Sequence, residues 1–151
     1  MVQVEEPDGP AVHIGGGSPY DIQLQLYQLT CPYAGDGDDP TRDFLVHVQG
    51  DHLSVETLVR TWDGDGLDVF LAALAEDFRG WAGERTWKSL EHDLTLSAEH
   101  AGHCVRLTWG LHDRLPDNAW HFEATTEHAP GEDMRNLAAE VRAFLQSDPQ
   151  S

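Results

Sequence analysis

The residues with the clearest capacity for chemistry are nine histidines and two cysteines, and their densest group is His100, His103 and Cys104. Metal ligation is the chemistry that these side chains suggest, and the two histidines flank a predicted hairpin turn that can present both imidazoles. A structural zinc site needs four ligands, however, and the sequence has no second pair of matching spacing. The pattern favours solvated turn histidines, with a metal site as the alternative, and we predict no cofactor.

Nucleophilic and calcium chemistry find less support in the sequence. Cys104 directly follows a histidine, and adjacent residues of a strand point to opposite faces, so the imidazole is badly placed to activate the thiol. No serine lies in a Gly-x-Ser-x-Gly motif. An EF-hand loop needs a bidentate glutamate at its twelfth position, which is His47 counted from Asp36 and Leu74 counted from Asp63. We therefore predict no catalytic residue and no metal ligand.

Acidic side chains dominate the composition: 27 aspartates and glutamates against 9 lysines and arginines give a formal net charge of -18. Such a field repels phosphate backbones and anionic membrane surfaces and attracts a basic partner. Solubility alone is the alternative interpretation of the charge. Two segments of loop or helix-entry character gather carboxylates around what we expect to be an exposed apolar anchor. We predict these partner-binding residues: Asp36, Asp38, Asp39, Asp63 and Asp68.

The length and the cysteine content indicate one reduced domain. Two cysteines are too few for a disulfide-stapled secreted scaffold. The first residues lack the basic and apolar regions of a signal peptide, and no later stretch reaches about 18 uninterrupted apolar residues. We predict a cytoplasmic protein with a single domain over residues 1–151, a flexible arm at 1–10 and a flexible tail at 147–151.

The stretch from Trp62 to Trp81 is the least ambiguous element of the sequence. Its apolar residues have the spacing of one helical face and are Leu67, Phe70, Leu71, Leu74, Phe78 and Trp81. We predict a helix from about Gly66 to Gly80, with Asp65 as its N-cap and the glycine as its terminator. Apolar residues from Met134 to Leu145 predict a second amphipathic helix.

Alternating apolar residues predict strands on both sides of the first helix. Before it lie a short edge strand at 11–14, a strand around Leu24, and a hairpin of 43–49 with 53–61; after it lies a meander around 94–98, 105–111 and 120–124. Between the helix and the meander, Trp87 and Leu90 are expected to fold over the helix. The order predicts an α+β fold with two layers, a mainly antiparallel sheet of about six to seven strands and two amphipathic helices on one face.

The order of these elements resembles a family of small acidic bacterial proteins, the WapI-type immunity proteins. The likeness lies in LQLYQL before an acidic loop, DFLVHVQG, TWDGDGLDVFLAAL, and DLTLSAEH with VRLTWGL. The segment from WDGDGL through GERTW is also similar to uncharacterised small proteins of GC-rich bacteria. The immunity-protein resemblance implies neutralisation of a toxin, and it supplies no catalytic motif.

The function that we predict is a non-catalytic cytoplasmic binding protein. In its most specific form, it is an immunity protein whose acidic surface neutralises a basic toxin domain. The alternative is a small ligand-binding domain or enzyme with an aromatic-lined pocket, for which Trp109 and Trp120 are the candidate lining residues.

Overall fold

The computed structural model describes residues 9–16, 22–37, 39–113 and 119–149. In these ranges the chain forms eight β-strands and two α-helices. The strands are β1 (Ala11–Gly15), β2 (Gln23–Thr30), β3 (Thr41–Gly50), β4 (Leu53–Trp62), β5 (Glu84–Lys88), β6 (Leu94–His100), β7 (Val105–His112) and β8 (His121–His128); the helices are α1 (Leu67–Glu76) and α2 (Glu132–Leu145). Neither helix of the described ranges is long and apolar enough to cross a membrane.

Each half of the chain is an antiparallel meander followed by a helix. The first sheet has the order β1-β2-β3-β4 and the second the order β5-β6-β7-β8, so each strand pairs with its neighbours in sequence. Buried and exposed residues alternate along the strands, as in β2, where Leu24 and Leu26 are buried between more exposed neighbours. One face of each sheet is therefore apolar. The α+β class and the antiparallel pairing are confirmed.

Both sheets and both helices contribute to one hydrophobic core. Helix α1 buries Leu67, Leu71 and Leu74 on one stripe. Helix α2 packs against α1 and reaches the first sheet, where the rings of Phe144 and Phe44 meet edge to face with centroids 5.7 Å apart. The helices thus join the two meanders into one packed unit.

The expectation of a single sheet of six to seven strands is wrong, because the described residues form two sheets of four strands. Alternating apolar residues do not reveal strand β5, because the face that it turns to the core carries only Arg85 and Trp87, both half-exposed. The sheets approach each other beside β1 and β8. A Cβ placed on Gly15 would lie 3.3 Å from Cγ2 of Thr126, yet β1 and β8 do not pair over the ranges described.

Helix α1 is shorter than its apolar spacing predicts. It ends at Glu76, and the N–H of Gly80 then donates to the carbonyl of Asp77 at 2.9 Å in a turn. Phe78, which the helical spacing placed on the buried face, is exposed as a result. Trp81 stays half-buried, and its indole N–H donates to the carbonyl of Ala98 in the second sheet at 3.2 Å.

Asp65 is not the N-cap that the sequence predicts. The N-cap is Gly66, and Asp65 has a left-handed backbone with φ of 51°. Its carboxylate instead accepts the N–H of Leu90 at 2.6 Å, and its carbonyl accepts the indole N–H of Trp87 at 2.8 Å. Burial raises the pKa of Asp65 above its ordinary value. Trp87 packs against the core as expected, whereas the Leu90 side chain is exposed.

A series of hydrogen-bonded polar groups runs from Trp109 in the core of the second sheet to His128 at the end of β8. The indole N–H of Trp109 donates to Oγ1 of Thr126 at 2.9 Å, and that oxygen lies 2.8 Å from Nε2 of His128. Burial lowers the pKa of His128 below its ordinary value, because the charged imidazolium loses hydration there.

Acidification is expected to destabilise the fold through His128. In the unfolded chain the pKa of this histidine stays at about 6.5. The unfolded state therefore takes up the proton first, and the free energy of unfolding falls as the pH decreases below that value. Above it, His128 contributes no pH dependence. Replacing His128 by glutamine should flatten this slope in thermal unfolding followed from about pH 7.5 to 5.5, while His103→Gln on an exposed turn should leave it. Equal slopes in His128→Gln and the unsubstituted protein would contradict the assignment.

Candidate functional site

The two acidic segments of the sequence meet at one end of the β3–β4 hairpin. Thr41 pairs with Trp62, which places the segment before β3 beside the segment after β4. The N–H of Asp63 donates to the carbonyl of Pro40 at 2.8 Å, and Nε of Arg42 lies 3.7 Å from Oδ1 of Asp63. Carboxylates far apart in sequence are therefore gathered at one corner of the fold.

The first acidic segment supplies Asp39 to this corner. Oδ1 of Asp39 accepts the N–H of Thr41 at 2.8 Å. Hydrogen bonding by the Thr41 side chain first, and by this N–H second, lowers the pKa of the Asp39 carboxyl below its usual range. Asp36 is the last residue of a short 3-10 turn, Ala34–Asp36. Asp38 lies outside the described residues.

The second segment presents Asp63 on a tight left-handed turn. Four consecutive residues have positive φ: Asp63 at 50°, Gly64 at 83°, Asp65 at 51° and Gly66 at 72°. Glycine and aspartate tolerate this conformation best. A Cβ at Gly64 would also lie 3.0 Å from Cδ1 of Leu145, so α2 closes over the turn. The Asp63 side chain, 75% exposed, is thus held outward.

Asp68 does not join these carboxylates. It lies in the first turn of α1 and lines a groove of about 320 Å³ between α1 and α2, together with Arg135 and Arg142. Of the five predicted aspartates, the described contacts bring together Asp39 and Asp63.

The corner adjoins an apolar surface that the sequence did not predict. Tyr27, Leu45 and Leu58 are direct cross-strand neighbours on β2, β3 and β4, on the face turned away from the core. Trp62 lies four residues beyond Leu58 on the same face of β4, past Arg60. We name the following five residues the outer patch: Tyr27, Tyr33, Leu45, Leu58 and Trp62. Three of them are strongly exposed, Trp62 at 57%, Tyr33 at 40% and Leu58 at 36%.

Arg60 links the parts of the outer patch. Its guanidinium donates to both carboxylate oxygens of the buried Asp43, at 3.0 and 2.9 Å, and to the hydroxyl of Tyr33 at 3.1 Å. It also lies 5.2 Å from the centroid of the Tyr33 ring. The hydrogen bonds to Asp43 raise the pKa of Arg60 above its ordinary value. Because Asp43 neutralises the arginine, Arg60 holds Tyr33 in place without adding an unpaired positive charge to the patch.

Glu56 carries the acidic rim along β4. The hydroxyl of Tyr27 donates to its carboxylate. Burial first, and this carboxylate second, raise the pKa of Tyr27 to about 12. The outer patch therefore lies between Glu56 on one side and Asp63 on the other.

A sequence signal for this surface does exist. Leu45, Leu58 and Trp62 occupy the positions that the alternation along β3 and β4 assigns to the solvent face, where polar residues are the norm. Large apolar residues on a solvent face mark a candidate interaction site when they cluster. Recognising the cluster requires the strand register, which sets Tyr27, Leu45 and Leu58 side by side.

The outer face of the second sheet forms a separate groove of about 410 Å³. The register arranges its side chains in two rows across the four strands: Thr86, Ser97, Thr108 and Thr125, then Lys88, Thr95, Gly110 and Glu123. The missing side chain of Gly110 makes room for the contact between Oγ1 of Thr95 and Nε2 of His112, 2.9 Å apart, since a Cβ there would lie 2.3 Å from that oxygen. Hydroxyl groups of Thr86, Thr95, Ser97 and Thr108 line this groove together with Trp87 and Leu96. Trp109 is buried in the core beneath it.

The described histidines are dispersed over the fold, and several of them make structural contacts. His100 lies 3.1 Å by its Nε2 from the carbonyl of Phe78, and its Nδ1 accepts the N–H of Gly102 at 3.2 Å. His112 and His121 stack with ring centroids 4.4 Å apart. Burial lowers the pKa of His112. Within the described ranges no group of three or more His, Cys, Asp or Glu residues is arranged to hold a metal ion. Cys31 and Cys104 are free cysteines.

One comparison with known proteins gives a match. The model of a family of unknown function, DUF6228, matches residues 21–148, a range that begins just before β2 and ends after α2. No curated protein and no solved structure matches the chain.

Proposed function

The chain belongs to this family of unknown function, DUF6228, and from the geometry of the outer patch we propose that it is a non-catalytic binding protein for a basic protein. The observation that carries the proposal is Trp62, a tryptophan with 57% of its surface exposed, at the end of β4 and next to Asp63, where the left-handed turn begins. Tryptophan and tyrosine are the residues that most often dominate binding energy at protein interfaces.

The charges around the outer patch favour a basic partner. Glu56, Asp39 and Asp63 lie along its rim, and Arg60 is already paired with Asp43. The net charge of -18 extends the negative field beyond the patch. Such a field accelerates encounter with a cationic surface, while the desolvation of the aromatic anchors supplies affinity.

Replacing Trp62 by alanine is expected to weaken binding at least about 30-fold, the effect of an interface residue that contributes about 2 kcal/mol. A basic partner would be captured on the immobilised protein from the source cytosol at low salt, purified, and titrated against each variant by calorimetry. Trp120→Ala, which removes another exposed tryptophan, is the matched control and should leave the affinity unchanged. A partner that binds Trp62→Ala as tightly as the unsubstituted protein would exclude this site.

The same titration with Asp63→Asn isolates the charge. Asparagine tolerates the left-handed backbone, so the turn is retained while one carboxylate is lost. The association rate should fall and its dependence on salt should weaken, with little change in dissociation. Asp39→Asn is a less clean test, because the Asp39 side chain also holds the N–H of Thr41.

A more specific form of the proposal is that the partner is a toxin domain and that the chain is its cytoplasmic immunity protein. Support for this form comes from the acidic surface and from the resemblance of segments such as DFLVHVQG and TWDGDGLDVFLAAL to immunity proteins. Co-expression with a captured toxin domain would test it by survival of the host cell.

The hydroxyl-lined groove of the second sheet favours a second candidate function, binding of a small polar ligand. The only lysine of the sequence, Lys88, stands at one end of the row that ends in Glu123, with hydroxyl groups beside it. Few enclosed polar groups converge there, which is why the outer patch is the better supported site. Ligand binding in this groove would be insensitive to Trp62→Ala.

A further inference from the structure

Strand β4 is the edge of the first sheet, and its backbone groups face two directions in turn. Gly50 pairs with Leu53 across the hairpin turn, and the register to β3 continues without interruption to Thr41 and Trp62. In an antiparallel ladder, alternate residues exchange hydrogen bonds with the partner strand, and the residues between them turn N–H and C=O away. The bond from the N–H of Arg60 to Oδ2 of Asp93, at 3.1 Å, identifies the even-numbered residues as those that face away from β3.

This free edge is divided into a closed half and an open half. The N–H of Arg60 is taken by Asp93, and the carboxylate of Asp65 lies beside the backbone of Trp62 at the end of the strand. No described residue hydrogen-bonds the outward backbone groups of Ser54, Glu56 and Leu58. Burial changes at the same point along β4. On the inner face, the residues from Leu53 to Thr57 are half-buried, whereas Val59 and Thr61 are fully buried.

Resting on the proposed function, we propose that the partner is bound by strand addition: an extended basic segment pairs with the open edge of β4 from Ser54 to Leu58. Unpaired edges are templates for another strand, and main-chain hydrogen bonds supply much of the affinity in such complexes. The added strand extends the first sheet, so its side chains extend the cross-strand rows that end in Glu56 and Leu58.

These rows define the segment that fits. Glu56 ends one row and Leu58 ends the next, both on the outer face. A strand in register places a basic residue opposite Glu56 and an apolar residue opposite Leu58, two positions apart on one face. The recognised pattern is therefore a basic and an apolar residue separated by one residue, inside an extended segment.

A second copy of this chain fits the same edge less well. Two β4 strands paired about their centre would set Glu56 against its own counterpart, and like charges directly opposite each other are destabilising. Two molecules of net charge -18 also repel at long range.

The test uses proline at an outward position. Glu56→Pro removes one outward N–H without touching the ladder to β3, a placement that edge strands tolerate. Glu56→Thr is the matched control, since it loses the same charge and keeps the N–H. The probe is a synthetic peptide of repeating Lys-Thr-Leu-Thr, titrated by fluorescence of the labelled peptide. Glu56→Pro should bind it about tenfold more weakly than Glu56→Thr, and a peptide of equal charge with a central proline should not bind.

Amide chemical shifts of the unsubstituted protein provide an independent readout, should Glu56→Pro fail to fold. The largest changes on adding the peptide should fall between Ser54 and Leu58. Equal affinities of Glu56→Pro and Glu56→Thr, equal binding of the proline-containing peptide, or no binding at millimolar peptide would each overturn strand addition. Concentration-dependent dimers in light scattering would do so as well, by assigning the edge to a second copy.

The two proposals fail in different ways. If the captured partner needs Trp62 but binds Glu56→Pro and Glu56→Thr alike, the binding function stands and strand addition is wrong. If neither Trp62→Ala nor the Glu56 variants change binding of the partner, the outer patch is not its binding site, and the site on which both proposals rest is wrong.

Discussion

Replacing Trp109 by alanine is expected to lower the free energy of unfolding by about 3 to 5 kcal/mol, the range for loss of a buried aromatic side chain. Trp109 is completely buried on the inner face of β7, and its indole N–H is bonded to Thr126. Truncation removes the ring from the core and leaves a cavity that the surrounding strands cannot fill. Chemical denaturation gives the value.

Two further variants separate the causes. Trp120→Ala removes a tryptophan that is 40% exposed at the entry to β8, and it should change the free energy of unfolding by less than about 1 kcal/mol. Trp109→Phe keeps most of the ring volume and deletes the hydrogen bond to Thr126. A loss for Trp109→Ala no larger than that for Trp120→Ala would mean that the core does not depend on β7.

Asp93→Ala is expected to lower the free energy of unfolding by about 2 to 5 kcal/mol, because each donor left without an acceptor in a buried site costs about 1 to 3 kcal/mol. Asp93 is fully buried. Its carboxylate accepts the hydroxyl of Ser89 at 2.5 Å and the N–H of Arg60 at 3.1 Å. It thereby ties the turn before β6 to the edge of β4. Thermal and chemical unfolding would measure the loss.

The matched controls for Asp93 differ from it in one respect each. Asp93→Asn keeps one acceptor oxygen and should lose about half as much. Glu84→Ala removes an exposed carboxylate from the neighbouring strand and should be nearly neutral. If Asp93→Ala unfolds like Glu84→Ala, the turn is held by other contacts.

Local periodicity was sufficient to predict most of the elements. Alternation along β2, β3, β4, β6 and β7, and the helical stripe of α2, predicted their positions because each buries one face against the common core. It failed where tertiary contacts replace a local signal. Strand β5 is held by pairing with β6 and by the Trp87 indole rather than by alternating apolar residues.

The predicted cap at Asp65 failed for a related reason. An aspartate before a helix is a sound local signal, yet here its carboxylate accepts the N–H of Leu90, 25 residues away in sequence. Sequence spacing contains no information about that contact. This hydrogen bond joins the turn before α1 to the turn before β6, and it takes the place of a capping bond at the start of the helix.

The candidate site was half predictable. Charge alone selected Asp39 and Asp63, and their proximity follows from the pairing of Thr41 with Trp62. The sequence also carried the outer patch, as apolar residues on the solvent face of β3 and β4. Their significance appears only when the register places Leu45 beside Leu58 and Tyr27, because an isolated exposed apolar residue is ordinary.

The alternation along β4 also sorts its amide hydrogens by their rate of exchange with solvent. Those of Val55, Thr57 and Val59 lie inside the ladder to β3 and exchange only when the hairpin opens. Those of Ser54, Glu56 and Leu58 face outward and exchange without any opening. The amide of Arg60 differs from both, because its acceptor is Asp93 in the turn before β6. Exchange of the Arg60 amide therefore requires this contact between the two meanders to open, although Arg60 itself belongs to the first meander.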